Sequence, residues 1–150
     1  MDDLKKASKK SLRWKAGGFP YYVDPEDGEV YVCMFLSNNP AFGGKLPQMP
    51  KGTRDDLEKP VVTAAREASE ETGIPETALR KKAHLLMNKK FRGETSNYIQ
   101  YVFGFPLDKP YKAKTNNEGK GLWFTLENAI KYCRKDQKQF ILALKKHVKK

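Results

Sequence analysis

The chain has 150 residues, 39% hydrophobic and 31% charged, with 29 Lys/Arg against 18 Asp/Glu and a formal net charge of +11. That length suits one domain with its own core. No apolar run approaches the roughly 20 residues of a membrane span, Met1–Lys10 has no apolar signal stretch, and Cys33 and Cys133 stand too far apart for a CxxC pair, so a cytoplasmic protein with two reduced thiols and no membrane partner is expected.

Residues 1–15 carry +4 and residues 131–150 carry +7, which leaves the middle of the chain neutral. Residues 1–12 read as a basic tail and 13–150 as the domain. Basic ends draw in anions, so a small anionic phosphate compound is the expected partner, with RNA as a second candidate. Nothing in the sequence selects an oligomeric state, and a homodimer stays open.

Residues 13–37 read as a hairpin. Its second arm, "GEVYVCMFLS" (28–37), is rich in β-branched and aromatic residues, and Asp24-Pro25 and Asp27-Gly28 mark the turn. "NNPAFGGKLPQMPKG" (38–52) reads as loop. A helix follows: Pro60 suits its first turn, Val61, Val62, Ala65, Ala68 and Ser69 make a small packing face, and Gly73 suits the left-handed stop before Ile74-Pro75. "AHLLMNKKF" and "NYIQYVFGFPL" read as two strands joined through "RGETS", and "GLWFTL" as another. From Leu126 the chain turns helical, with Phe140, Ile141, Leu144 and Val148 on one face of a C-terminal helix. The expected class is a mixed α/β domain whose acidic helix packs on a largely β core.

Six of the acidic residues fall between Gly52 and Ile74. Glu67, Glu70 and Glu71 sit at i, i+3 and i+4, so all three can project toward one point of the helix face. Such charges repel. Arg66 neutralises part of them, and the all-oxygen set suits a hard divalent ion, Mg2+ or Mn2+, over zinc.

The frame around these residues is Gly52, five residues, Glu58, seven residues, Arg66-Glu67, Ala68, Ser69, Glu70-Glu71, Thr72, Gly73, Ile74. It resembles the signature of the Nudix hydrolase family at every fixed position. "AGGFPYY" (16–22) is similar to the first core strand of that family, and "GLWFTLENAI" (121–130) to its strand-to-helix passage. The resemblance implies an α/β/α sandwich around a mixed β-sheet, and hydrolysis of a pyrophosphate bond in a nucleoside diphosphate linked to another moiety. It implies Glu71 and Glu70 as metal ligands and Glu67 as a ligand or the general base. The backbone carbonyl of Lys51 completes the metal set, Gly52 allows a tight turn there, Arg66 orients the glutamates, and Glu58 pairs structurally. A further ligand is expected from Glu94 or Glu118.

Lys45, Lys51, Lys89, Lys90 and Arg92 are candidates to clamp phosphoryl oxygens. Trp14, Tyr21, Tyr22, Phe42 and Tyr98 are candidates to stack on a base. His84 and His147 receive no role. "LPQMPKG" and the C-terminal segment are similar to the dinucleoside polyphosphate and diphosphoinositol polyphosphate branches, and somewhat to RNA 5′-pyrophosphohydrolases, although Pro-Lys-Gly stands where the diphosphoinositol branch carries three glycines.

Overall fold

The computed structural model describes residues 13–38, 46–53, 57–93, 97–116 and 118–149. The strands are β1 (Arg13–Val23), β2 (Val30–Ser37), β3 (Lys51–Thr53), β4 (His84–Arg92), β5 (Asn97–Leu107) and β6 (Gly119–Thr125). The helices are α1 (Pro60–Thr72), α2 (Glu76–Lys81), α3 (Leu126–Tyr132) and α4 (Lys138–Val148), with a 3-10 turn over Lys135–Gln137. One mixed sheet runs β4-β5-β1-β2-β6, and β3 pairs with β1 off that path.

β1 organises this sheet. It runs parallel to β5 from Arg13–Tyr98 to Tyr22–Leu107. On its other side it is shared: Tyr21 to Val23 pair with β2, while Lys15 to Gly17 pair with β3. Hairpin strands 13–37 are thus as expected, but they diverge toward the start of β1, and the 47–53 segment fills the gap. Gln48 pairs with Phe35 of β2 on one side, and the Gly18 N–H donates to the Pro50 carbonyl on the other. Residues expected as loop through position 52 therefore end in a strand.

Alternation along β1 and β5 divides the core into two layers. Phe19, Val32, Met34 and Val102 meet Leu126, Phe140, Ile141 and Leu144 of α3 and α4. Ala16, Cys33, Phe103 and Phe105 meet Ala64, Ala65 and Ala68 of α1 and Leu79 of α2. Helices thus cover both faces of the sheet, an α/β/α sandwich. The buried face of α1 is Thr63, Ala64, Ala65, Ala68 and Thr72. Val61, Val62 and Ser69, expected on it, lie at its margin, because the helix is rotated to bring alanines with no exposure against Ala16. Gly73 closes α1 at φ 82, its N–H donating to the Ser69 carbonyl. α2 was not expected. It starts directly after Pro75, so the Ile74-Pro75 break ends one helix and begins the next. Burial pushes the Cys33 thiol up to about 12, which makes it an inert core group.

His84 and His147, far apart in sequence, stack with ring centroids 4.0 Å apart, and the Tyr21 hydroxyl lies 3.4 Å from His84 Nε2. Burial and then the His147 charge hold the His84 pKa below its usual value, against a hydrogen bond to the Lys82 backbone. A folded pKa below the unfolded value of about 6.5 means that this part of the stability is complete above that pH and is lost as pH falls through the folded pKa. His84→Gln is therefore expected to flatten the decline in denaturation midpoint between about pH 7 and about pH 5, as read by urea titrations across that range. An unchanged slope would remove the pair from the acid response.

Candidate active site

The helix signature positions its own network. Arg66 is the hub: its Nε donates to Glu58 Oε2 at 2.8 Å and its Nη2 to Glu58 Oε1 at 3.0 Å. Nη1 donates to Glu67 at 2.8 Å and to Glu70 at 3.4 Å, and Nη2 reaches the Thr53 carbonyl at 3.2 Å. Thr63 Oγ1 adds a 2.7 Å bond to Glu58. A planar guanidinium with five fixed donors suits such a fork, and these bonds hold its pKa above the ordinary value. Glu58 thus ties the segment entering α1 to Arg66, and Arg66 ties α1 to the end of β3.

The three glutamates do not converge on one point. Glu67 and the exposed Glu70 turn to Arg66, while the Glu71 carboxylate accepts from the Lys51 backbone N–H. Mutual repulsion and a single central cation split them this way. Among the described residues, no three acidic, His or Cys side chains form a closed ligand group. What remains together is Glu67, Glu71 and the Lys51 main chain. Burial and the Glu67 charge push the Glu71 carboxyl up to about 8. Burial and the Glu70 charge raise Glu67 as well, against Arg66. Two half-buried carboxyls whose pKa values stay raised despite Arg66 and Lys51 form an all-oxygen donor pair that fits a hard divalent ion.

Glu118 contributes to that field, since its charge acts on both Glu67 and Glu71. Its loop is anchored to α1: Asn116 Nδ2 donates to the Glu70 carbonyl at 2.9 Å and Asn116 Oδ1 accepts from the Glu118 N–H at 2.8 Å. Glu94, Lys45 and Phe42 lie outside the described residues.

Gly52 does not serve a turn. It lies in β3, and only Gly28 and Gly73 have positive φ among the described glycines. A β-carbon built at Gly52 would overlap the Glu67 carboxyl, so the glycine makes room for that side chain. Alternation on β3 then sends Lys51 to the opposite side. There burial, with the charges of Lys15 and Arg134, lowers the Lys51 pKa. Lys15 Nζ stands 4.6 Å over the Tyr98 ring, which stacks on Phe91. Strand β3 therefore has Glu67 on one side and Lys51 on the other, but the Lys51 charge still acts on Glu71, and Asp136 pairs with Arg134 at 3.2 Å.

Other expected contacts fall elsewhere. Lys89 reaches Gln139 of α4 at 3.5 Å, and Lys90 and Arg92 are exposed on the outer strand β4, so long cationic side chains leave the strand edge for solvent and the helix. Tyr21 is 6% exposed in the core, and Trp14 packs edge-on against Tyr101 at 5.7 Å, so neither presents a free face to a base. Tyr22 is half-buried far along β1. Lys15 and Arg134 went unnoticed in the sequence, where each is one cation in a basic terminal stretch, and only the β1–β3 pairing and the turn after α3 bring them together.

The NUDIX domain model matches residues 16–144. An RNA pyrophosphohydrolase of Bartonella clarridgeiae is 34% identical over 94 residues, covering 51% of this chain and 54% of that protein, so the chain matches about half the length of this curated relative. Among solved structures, an Ap4A hydrolase of C. elegans superposes with a TM-score of 0.71 at 17% identity, covering 92% of this chain and 98% of the other. The NUDIX domain of Shewanella oneidensis NrtR, complexed with ADP ribose, gives 0.73 at 15% identity over 95% and 92%. The two structural likenesses bear on the fold. No helix among the described residues is long and apolar enough to cross a membrane.

Proposed function

The chain belongs to the Nudix family of hydrolases, and from that premise we propose that it is a Mg2+- or Mn2+-dependent pyrophosphohydrolase whose first candidate substrate is a dinucleoside polyphosphate. The observation that carries this reading is the meeting at β3 of two buried acids, Glu67 and Glu71, with the cations Lys15, Lys51 and Arg134, the Lys51 charge acting on Glu71. Glu71, Glu67 and the Lys51 carbonyl would hold the ion, with Glu118 as the acid from the neighbouring loop and Glu70 joining only by leaving Arg66. Bound there, a divalent ion supplies charge neutralisation to the phosphoryl oxygens. The chain's own residues do the rest. Lys51 and Arg134 bind the polyphosphate and hold it in line, Arg66 orients Glu67, and Glu67 accepts the proton of the attacking water. Tyr98, with Lys15 over its ring and Phe91 stacked against it, would meet a base only by its edge.

A second reading, removal of pyrophosphate from an RNA 5′ end, is favoured by the Bartonella relative and by Lys145, Lys146 and Lys149 at the end of α4. Dinucleoside polyphosphates, nucleoside triphosphates, ADP-ribose, diphosphoinositols and triphosphorylated RNA, each with Mg2+ or Mn2+, separate the readings. Dinucleoside polyphosphate is expected to turn over in either ion and to stop in EDTA. Hydrolysis unaffected by EDTA, or none of any substrate, would overturn the proposal. RNA as the true substrate would show at least about a tenfold loss between about 50 and about 200 mM salt, while small-nucleotide turnover changes far less.

A further inference from the structure

Residues 47–50, the approach to the metal-binding edge, are held between β1 and β2 and on the third side by one turn 88 residues on. Pro47 and Pro50 have no N–H. The Gln48 N–H donates to the Phe35 carbonyl at 2.9 Å. The remaining donor, the Met49 N–H, is bonded at 2.7 Å by Oε1 of Gln137, 88 residues on and 2% exposed. The same turn grips the segment twice more: the Arg134 N–H donates to the Pro47 carbonyl at 3.1 Å, and Arg134 Nη1 to Gln48 Oε1 at 3.3 Å. Two residues after Met49 comes Lys51, whose N–H holds the Glu71 carboxylate.

We propose that Gln137 is a positioning residue for the active site: by bonding the Met49 N–H it sets where the Lys51 main chain stands against Glu71. Gln137 Nε2 has no acceptor among the described residues. A buried, unpaired amide donor destabilises, so a residue kept only for stability has little reason to be a glutamine here. Loss of the acceptor frees the Met49 N–H and lets 47–51 shift relative to α1, while loss of the unpaired Nε2 offsets part of the stability effect. The shift acts on the Glu71 and Lys51 oxygens at once.

This inference rests on the metal-dependent reading above, and its test keeps the two apart. Mn2+ binding is measured by the free-ion magnetic resonance signal on wild type, Gln137→Met and Gln137→Glu, with thermal midpoints taken in EDTA. Gln137→Met is expected to bind Mn2+ about tenfold more weakly, with its midpoint in EDTA within a few degrees of wild type. Gln137→Glu keeps an acceptor for Met49 and is expected to return affinity to within about threefold of wild type. Should Gln137→Met fail to fold, Gln137→Asn, which withdraws the acceptor by one methylene, carries the same expectation. Wild-type affinity in the acceptor-deficient variant, or a loss that Gln137→Glu does not restore, would overturn the positioning role. Absence of Mn2+ binding in the wild type would overturn the metal reading itself.

Discussion

Glu71→Gln is expected to lower turnover by about 10³-fold, the equivalent of about 4 kcal/mol of barrier, and at the same time to stabilise the metal-free protein. The first effect follows from the donor set. Glu71 feels the Glu67 charge and accepts from the Lys51 N–H. An amide keeps the shape and can still accept from that N–H, but it no longer carries the charge a hard cation requires. The second effect follows from linkage. The folded carboxyl sits up to about 8, above the ordinary value of 4.5, chiefly through burial and then through Glu67. A group raised in this way contributes its stability below the unfolded pKa and loses it as pH rises toward the folded one. Near pH 7.5 the fold keeps this carboxyl largely protonated where the unfolded chain would ionise it, which costs the metal-free fold on the order of 2–4 kcal/mol. Its replacement is expected to raise the thermal midpoint in EDTA by roughly 5–10 °C, and added Mg2+ should raise the midpoint of wild type but not of the variant. Turnover within about tenfold of wild type would sink the assignment of Glu71. A lower midpoint in EDTA would sink the burial argument.

Such a trade between stability and function explains why a basic chain keeps acids together in its neutral middle. Arg66 compensates only the part of the cluster it can reach. Glu58 and Glu67 share its close bonds, Glu70 receives a longer one, and Glu71 has none from it. Glu71, which Arg66 does not reach and which has only the Lys51 charge and N–H, is the acid that burial raises furthest.

What the sequence revealed and what it hid follow from the range of the interactions. α1 was legible because its signals are local: Pro60 at the start, Gly73 at φ 82 at the end, and a face of small residues between them. The hairpin was legible through the turn at Asp24–Gly28, where Asp24 and Asp27 side chains accept from the N–H two residues on. β3 was not. Lys51–Thr53 is three residues long and follows two prolines, and it becomes a strand only because Lys15 to Gly17 stand opposite it. With β3 missed, alternation there was missed too, and so was the separation of Lys51 from Glu67. The convergence of Glu67, Glu70 and Glu71 was overread for a related reason. Helical spacing places side chains on one face but does not determine where they turn once Arg66 and the Lys51 main chain compete for them. Gln137 had no sequence signal at all, since its partner Met49 lies 88 residues away and only folding brings them together.

Gly52→Ala is expected to cost about a hundredfold in kcat/KM while leaving the thermal midpoint within a few degrees of wild type. Gly52 does not have positive φ, so alanine brings no backbone strain. Its effect comes only from the β-carbon, which would overlap the Glu67 carboxyl. That carboxyl is the far end of a flexible side chain, so it moves aside and the fold survives. In moving, it gives up the 2.8 Å bond to Arg66, and the group assigned to take the proton from water leaves its place. A displacement near 1 Å at a reacting group is enough for a loss of about that size. Gly18→Ala provides the contrast. Its β-carbon would overlap the Phe105 ring and approach the Phe103 carbonyl in the layer against α1, where nothing can swing away, so it should lower the midpoint while folded molecules keep their kcat. The two variants, compared by steady-state rates per folded molecule and by thermal melts, are expected to move in opposite columns. Equal losses of stability in both would mean that Gly52 serves packing, and that Glu67 owes its position to something other than the space left beside β3.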